Sequence, residues 1–199
     1  MTFYGKIKWV LGILMVFVLI VTTNLIDRNN FVRVKDSVVT IYEDRLIAND
    51  LIFEMSQSVQ EKEVALASSD STFFAQKNDK VNDGIKGFIA RFEETKLTDE
   101  ESKVFADLKQ NLETLRDSES AYVASGFMTK DDLEQEISKV KTNLYDLSKI
   151  QLREGSRQMN ISKRAIDTVE LFTQIEIYLL VFMAIVIQII VMYRPKNKS

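Results

Sequence analysis

Cysteine and histidine are both absent from the 199 residues. Without cysteine there is no disulfide framework, no thiolate nucleophile and no thiolate metal site. Without histidine the commonest general base and transition-metal ligand are missing too. Metalloenzymes and triad hydrolases are thereby set aside, and nothing supports a carboxylate-only enzyme, so no catalytic residue, metal or cofactor is expected. Proline occurs once and glycine six times, which leaves little material for turns and favours long helices. Basic footprint is also lacking: 26 bases stand against 29 acids, a net charge of −3. Five of the bases (Lys6, Lys8, Arg194, Lys196, Lys198) lie at the two ends, so the stretch between them is acidic. Such a balance argues against a nucleic-acid partner.

What the chain does have is two long apolar runs. The first, Trp9 to Ile26, follows Lys6 and Lys8 and opens on a tryptophan suited to the membrane interface. A cleaved signal peptide is the rival reading, but the run exceeds a usual h-region and no small-x-small site follows it. The second, Ile175 to Tyr193, holds Glu176 at its edge and Gln188 within. At about 1.5 Å per residue it is long enough to cross a hydrocarbon core of about 30 Å. Basic residues flank both runs on the same expected side. The expected order is a cytoplasmic N-terminus at 1–8, membrane helices at 9–26 and 175–193, an extracytoplasmic segment at 27–174 between them, and a cytoplasmic tail at 194–199.

The segment 27–174 carries seven-residue stripes. Phe31, Val34, Val38, Ile41, Arg45, Ala48, Ile52, Met55, Val59, Lys62 and Leu66 alternate spacings of three and four, the repeat of a helix packed in a coiled-coil-like bundle. Ser68 to Ser71 then suit a turn and a new N-cap. A second stripe runs through Phe74, Asn78, Val81, Ile85, Phe88 and Phe92, weakened by Gly84 and Gly87. Thr98 and Glu101 form a capping-box pattern, opening a third stripe of Phe105, Leu108, Leu112, Leu115, Glu119 and Tyr122. Gly126 suits a left-handed helix end, and Thr129 with Asp132 reads as another N-terminal box. Leu133, Ile137, Val140, Leu144 and Leu147 begin a fourth helix that continues into the second apolar run. The fold class is therefore all-α: an antiparallel up-down-up-down four-helix bundle flanked by two transmembrane helices. Residues 27–44 and 156–174 would form a two-helix stalk, too thin to be stable unpaired.

One polar layer stands out. Residues of the first and fourth helices that face each other across the hairpin should have numbers summing to about 200, which sets Arg45 opposite Glu154, with Gln151 and Gln158 a turn to either side. An arginine on an apolar stripe is costly unless paired, so an Arg45–Glu154 contact is expected. Arg45, Gln151, Glu154 and Gln158 are the candidate ligand-binding residues, against the plainer reading that Arg45 fixes register or reaches solvent. The other external arginines (28, 33, 91, 116, 153, 157 and 164) read as solvated helix faces. Asp79 to Gly84 makes a poor calcium loop, because Val81 and Ala90 occupy ligand positions. Gln188 could bond across membrane helices.

Ile41-Tyr42-Glu43-Asp44-Arg45-Leu46, Leu97-Thr98-Asp99-Glu100-Glu101 and Leu147 to Gly155, in this order between two apolar runs, resemble the four-helix-bundle sensor domain of bacterial methyl-accepting chemotaxis proteins. The resemblance implies an external homodimer in the inner membrane, ligand binding in the distal bundle and an inward signal by a small shift of the last helix. Ala48 stands where that family often has proline. The family also continues past its second membrane helix into a linker and a cytoplasmic coiled coil, so a stand-alone relative or a truncated chain is expected here. The expected function is that of a membrane-anchored sensory or accessory bundle. It would bind a small solute or a periplasmic protein and act on a partner receptor or kinase. The alternative is a two-pass scaffold of an envelope complex with no small-molecule ligand.

Overall fold

A computed structural model describes residues 3–192, apart from the side chains of 3–10, 13, 187 and 189–192. The expected tail at 194–199 lies outside the described residues, as do the side chains of Lys6, Lys8 and Trp9. Every regular element described is helical. The helices are α1 (Phe3–Thr40), α2 (Ile47–Ala67), α3 (Asn78–Glu93), α4 (Asp99–Ala124) and α5 (Asp131–Met192). A π-helical turn at Ile41–Leu46 joins α1 to α2, and a second at Phe73–Lys77 leads into α3. Neither turn is visible in the stripes, because an i→i+5 turn has no composition signature of its own.

The chain divides into two compact units. Val39–Gln158 is the four-helix bundle. Its core takes Leu51, Met55 and Val59 from α2, Ile85 and Phe92 from α3, Phe105, Leu108 and Leu115 from α4, and Leu133, Ile137, Val140, Leu144 and Leu147 from α5. These are the stripe positions, with Leu51 added, and their burial is the main favourable term in holding the helices together. Aromatic rings close one end: Tyr122 meets Phe74 edge-on at 5.2 Å and Phe127 at 5.4 Å.

The turns follow their local chemistry. Thr98 Oγ1 accepts from the Glu101 amide, while Glu101 Oε2 accepts from the Thr98 amide, so the capping box is complete. Gly126 has φ +67°, and Phe127 N–H donates to the Tyr122 carbonyl at 3.0 Å, the bond pattern of a Schellman end. Ser69 takes the same left-handed role at the end of α2. Asp70 Oδ1 then accepts from the Phe73 amide at 3.1 Å. The expected Thr129–Asp132 box is replaced: Thr129 Oγ1 bonds Ser125 Oγ, and the Glu134 amide donates to the Lys130 carbonyl. Lys130 thus stands ahead of α5, because Ser125 draws Thr129 back to the preceding loop.

The second unit holds the described residues before Val39 and after Gln158. Its buried side chains are Thr23, Asn30, Ser37, Ser162 and Ala165. Phe31 and Val38, expected on the buried stripe, are 71 % and 55 % exposed, each one residue past a buried polar neighbour. Among the described residues one helix, α5, is long and apolar enough to cross a membrane, with a mean hydropathy of 1.9 in a wholly unburied window.

Candidate functional site

Two buried charged layers cross the bundle. The first is built on Lys62, which has no solvent exposure. Its Nζ donates to Glu119 Oε1 at 2.5 Å, to Asn78 Oδ1 at 2.5 Å and to Asn82 Oδ1 at 2.8 Å. Glu119 Oε2 in turn accepts from Asn78 Nδ2 at 2.7 Å and Asn82 Nδ2 at 2.9 Å. The three ammonium donors therefore meet three acceptors, and both carboxylate oxygens are engaged. Burial lowers the Lys62 pKa, opposed by the charge and hydrogen bond of Glu119. The layer ties α2, α3 and α4 together.

The second layer is built on Arg45, which the first π turn brings to the bundle interior at 7 % exposure. Its Nη1 donates to Glu101 Oε1 at 2.6 Å and to Gln151 Oε1 at 3.1 Å; its Nη2 donates to the Lys96 carbonyl at 3.3 Å. Asp44, the residue before it, accepts from the Lys96 amide at 3.2 Å. Arg45 and Asp44 together grip the loop between α3 and α4. Glu101 serves twice, as ion-pair partner and as the capping residue of α4. Arg45 Nε and Gln151 Nε2 have no acceptor within the protein.

The expected polar layer is thus corrected in one partner. Arg45 pairs with Glu101 of α4, whereas Glu154 bonds Arg157 one turn along its own helix at 2.7 Å. Gln151 does reach Arg45; Gln158 is half-buried and makes no side-chain hydrogen bond among those described. Hairpin arithmetic compared only the first and fourth helices, and the guanidinium fork reached the start of the third instead. The Lys62 layer was missed, although Lys62, Asn78 and Glu119 all occupy stripe positions. The signal was there: Lys62 and Asn78 each stand eight residues from Asp70, the cap of the turn between them, so an antiparallel pair of helices must bring them level.

Neither layer offers a free nucleophile or acid–base pair, since each carboxylate is held by a cation and by neutral donors. Among the described residues no group of acids could hold a metal ion. Open surface recesses lie beside the layers, the first of them reaching Asn82 of the Lys62 layer. One of about 310 Å³ runs between α3 and α4, floored by Ile85, Ile89 and Leu112 and edged by Arg116 and Asn82. Another of about 440 Å³ lies between α2 and α5, with Phe53 and Tyr145 in its walls. Both volumes fall at the small end of the range for ligand pockets.

The described residues are all-helical, with both charged layers inside one four-helix unit. A family model described as a four helix bundle sensory module for signal transduction matches residues 2–166. The chain belongs to that family. It is the sensory module of chemotaxis receptors, and the match takes in the whole bundle unit, both charged layers included. No curated protein and no solved structure matches the chain.

Proposed function

We propose that the chain is a membrane-anchored sensory bundle that binds a small solute or a periplasmic protein and passes a helix displacement to a receptor or kinase in the membrane. One observation carries this reading. α5 is a single helix of 62 residues; its first part supplies Leu133 to Leu147 to the core, and its later part is the exposed apolar run. A ligand that favours one packing of the bundle therefore acts on the same helix that carries the apolar run. The run at 9–26 serves as the other anchor, with both ends of the chain cytoplasmic and the bundle on the far side of an inner membrane.

An exposed apolar row on the first long helix, Val39, Tyr42, Leu46 and Phe53, supports pairing with a second copy, since such a row is costly to leave in water. The test uses the full chain in nanodiscs. A panel of amino acids, organic acids and amines is expected to contain a solute that raises the melting temperature. Tyr42→Cys is expected to form a disulfide-linked dimer. A silent panel with intact dimers would remove the small-solute reading and leave a scaffold; cleavage of an N-terminal tag by external protease would overturn the topology.

A further inference from the structure

Along the first long helix the buried side chains include Thr23, Asn30 and Ser37, then Arg45, Ile52, Val59 and Leu66. Each set repeats every seven residues, but the step from Ser37 to Arg45 is eight. The extra residue falls at the first π turn, Ile41–Leu46, whose wider i→i+5 spacing takes up one residue more than an α-helix does. An α-helix through the same residues would carry the repeat backward from Arg45 to Val38 and Phe31.

The two alternative sets differ in chemistry. The set now buried is polar, and Asn30 Nδ2, Asp27 Oδ1 and, on α5, Ser162 Oγ find no partner in the protein. Phe31 and Val38 stand in the open. That is the reverse of what burial favours for these side chains. Meanwhile the π turn is gripped from the bundle, because Asp44 and Arg45 lie within it and bond Lys96 and Glu101.

We propose that the first π turn is a register switch. It stores one residue in the present arrangement. On reverting to α-helix it turns residues 23–38 by roughly 100° about their axis, the angle of one residue, so that Phe31 and Val38 replace Asn30 and Ser37 in the buried stripe. Arg45 keeps its place in both arrangements, and the loop at 94–98 is the handle by which the bundle biases the choice. This gives the sensory reading a route along the first helix as well as the last; it rests on that reading for its purpose, while the register itself is measured without any ligand.

The absence of native cysteine makes the test direct. Single cysteines, Ser37→Cys or Val38→Cys, are placed in the full chain in nanodiscs and timed against a soluble maleimide. Each is compared with the same cysteine in a chain lacking Glu43. The deletion shortens the turn by one residue, so an uninterrupted α-helix then keeps Ser37 seven positions ahead of Arg45 and pins the polar stripe. The expected result is that Val38→Cys reacts severalfold more slowly, and Ser37→Cys severalfold faster, in the undeleted chain than in the deleted one. Equal rates in the two backgrounds would overturn the switch; shielding of Val38→Cys by a second copy is the same in both and counts as equality. Should the deletion misfold, Phe31→Ser removes the apolar alternative with the turn intact. It must speed Val38→Cys and slow Ser37→Cys, and unchanged rates again overturn the proposal.

Discussion

Lys62 and Arg45 are both cations on the buried stripe of one long helix, and each faces a buried glutamate of α4, yet their surroundings differ in kind. Around Lys62 every donor and every carboxylate oxygen is matched by side chains of three helices. Around Arg45 the partners include a loop carbonyl and a capping residue, and the buried Nε–H finds no acceptor. The difference follows from the two cations. A compact ammonium with three donors can be enclosed, whereas a planar fork with five donors reaches across several elements and is seldom satisfied on every edge. A closed layer fixes which helices meet and at what height. An open one fastens unlike elements to one another, here a π turn, a loop and the start of a helix.

Breaking the closed layer should have the largest effect. Glu119→Leu leaves Lys62 buried against two amide oxygens, a loss of about 3–5 kcal/mol for an orphaned buried charge. The loss depends on pH in a fixed direction. Burial already sets the Lys62 pKa below its unfolded value of 10.5, and Glu119 is the group that opposes this; its removal lowers the folded-state pKa further. Between that lowered pKa and 10.5 the unfolded chain binds more protons than the folded one, so the variant gains stability as pH rises through this window. Thermal melts of the full chain in detergent at about pH 7 and about pH 9.5 read the effect. A deficit that is the same at both would mean that Lys62 escapes to solvent in the variant instead of staying buried.

The open layer should yield more cheaply. Arg45→Leu strands one oxygen of Glu101, but the other still accepts from Thr98 and the carboxylate sits in the first turn of α4, where the helix dipole favours it. We expect a loss of about 2–3 kcal/mol, below the usual cost of an orphaned buried charge. Adding Glu101→Gln should recover most of it, because glutamine also serves at the third position of a capping box without bringing a charge. If the double variant is no more stable than Arg45→Leu alone, Glu101 is not the partner that matters. Glu154→Ala should be close to neutral, since Glu154 answers to Arg157 within its own helix.

The contrast between the layers also explains what could be read from the chain. Helix ends were legible because their chemistry is local: Thr98 with Glu101, and Gly126 in the left-handed region, need no knowledge of distant residues. Core positions in α2 to α5 were legible because each stripe is long and regular. The partner of Arg45 was not, because a long side chain chooses among elements that only the assembled bundle brings near. Phe31 and Val38 were misplaced for a different reason. The stripe through them is unbroken in sequence, and a single π turn shifts its phase by one residue without changing any residue type. The Lys62 layer lay between these cases, since Lys62, Asn78 and Glu119 stood on three stripes but only their common height made them a site.

Losing the cap is a smaller disturbance, and it separates the layers cleanly. Thr98→Ala removes the acceptor for the Glu101 amide, at a cost of about 1 kcal/mol. In a cycle with Arg45→Leu it should be non-additive, because both changes act on Glu101. With Glu119→Leu it should simply add. Additivity in both cycles would dissolve the link between the cap and the open layer.

The mildest change sharpens the comparison from the other side. α3 supplies Asn78 and Asn82 to the closed layer, yet it carries Gly84 and Gly87 within its length. A Cβ at Gly84 would meet nothing within 4 Å, so Gly84→Ala is expected to stabilise by the helix-propensity difference, about 0.8–1.0 kcal/mol. At Gly126, where φ is +67°, the same alanine must go the other way, because its Cβ disfavours the left-handed region. If the closed layer already holds α3 as a straight rod, the Gly84 gain appears in full and persists when combined with Glu119→Leu. A gain that vanishes in that combination would show that α3 keeps its helical form only through the grip of Lys62 and Glu119, and that the layer builds the helix rather than joining helices already formed.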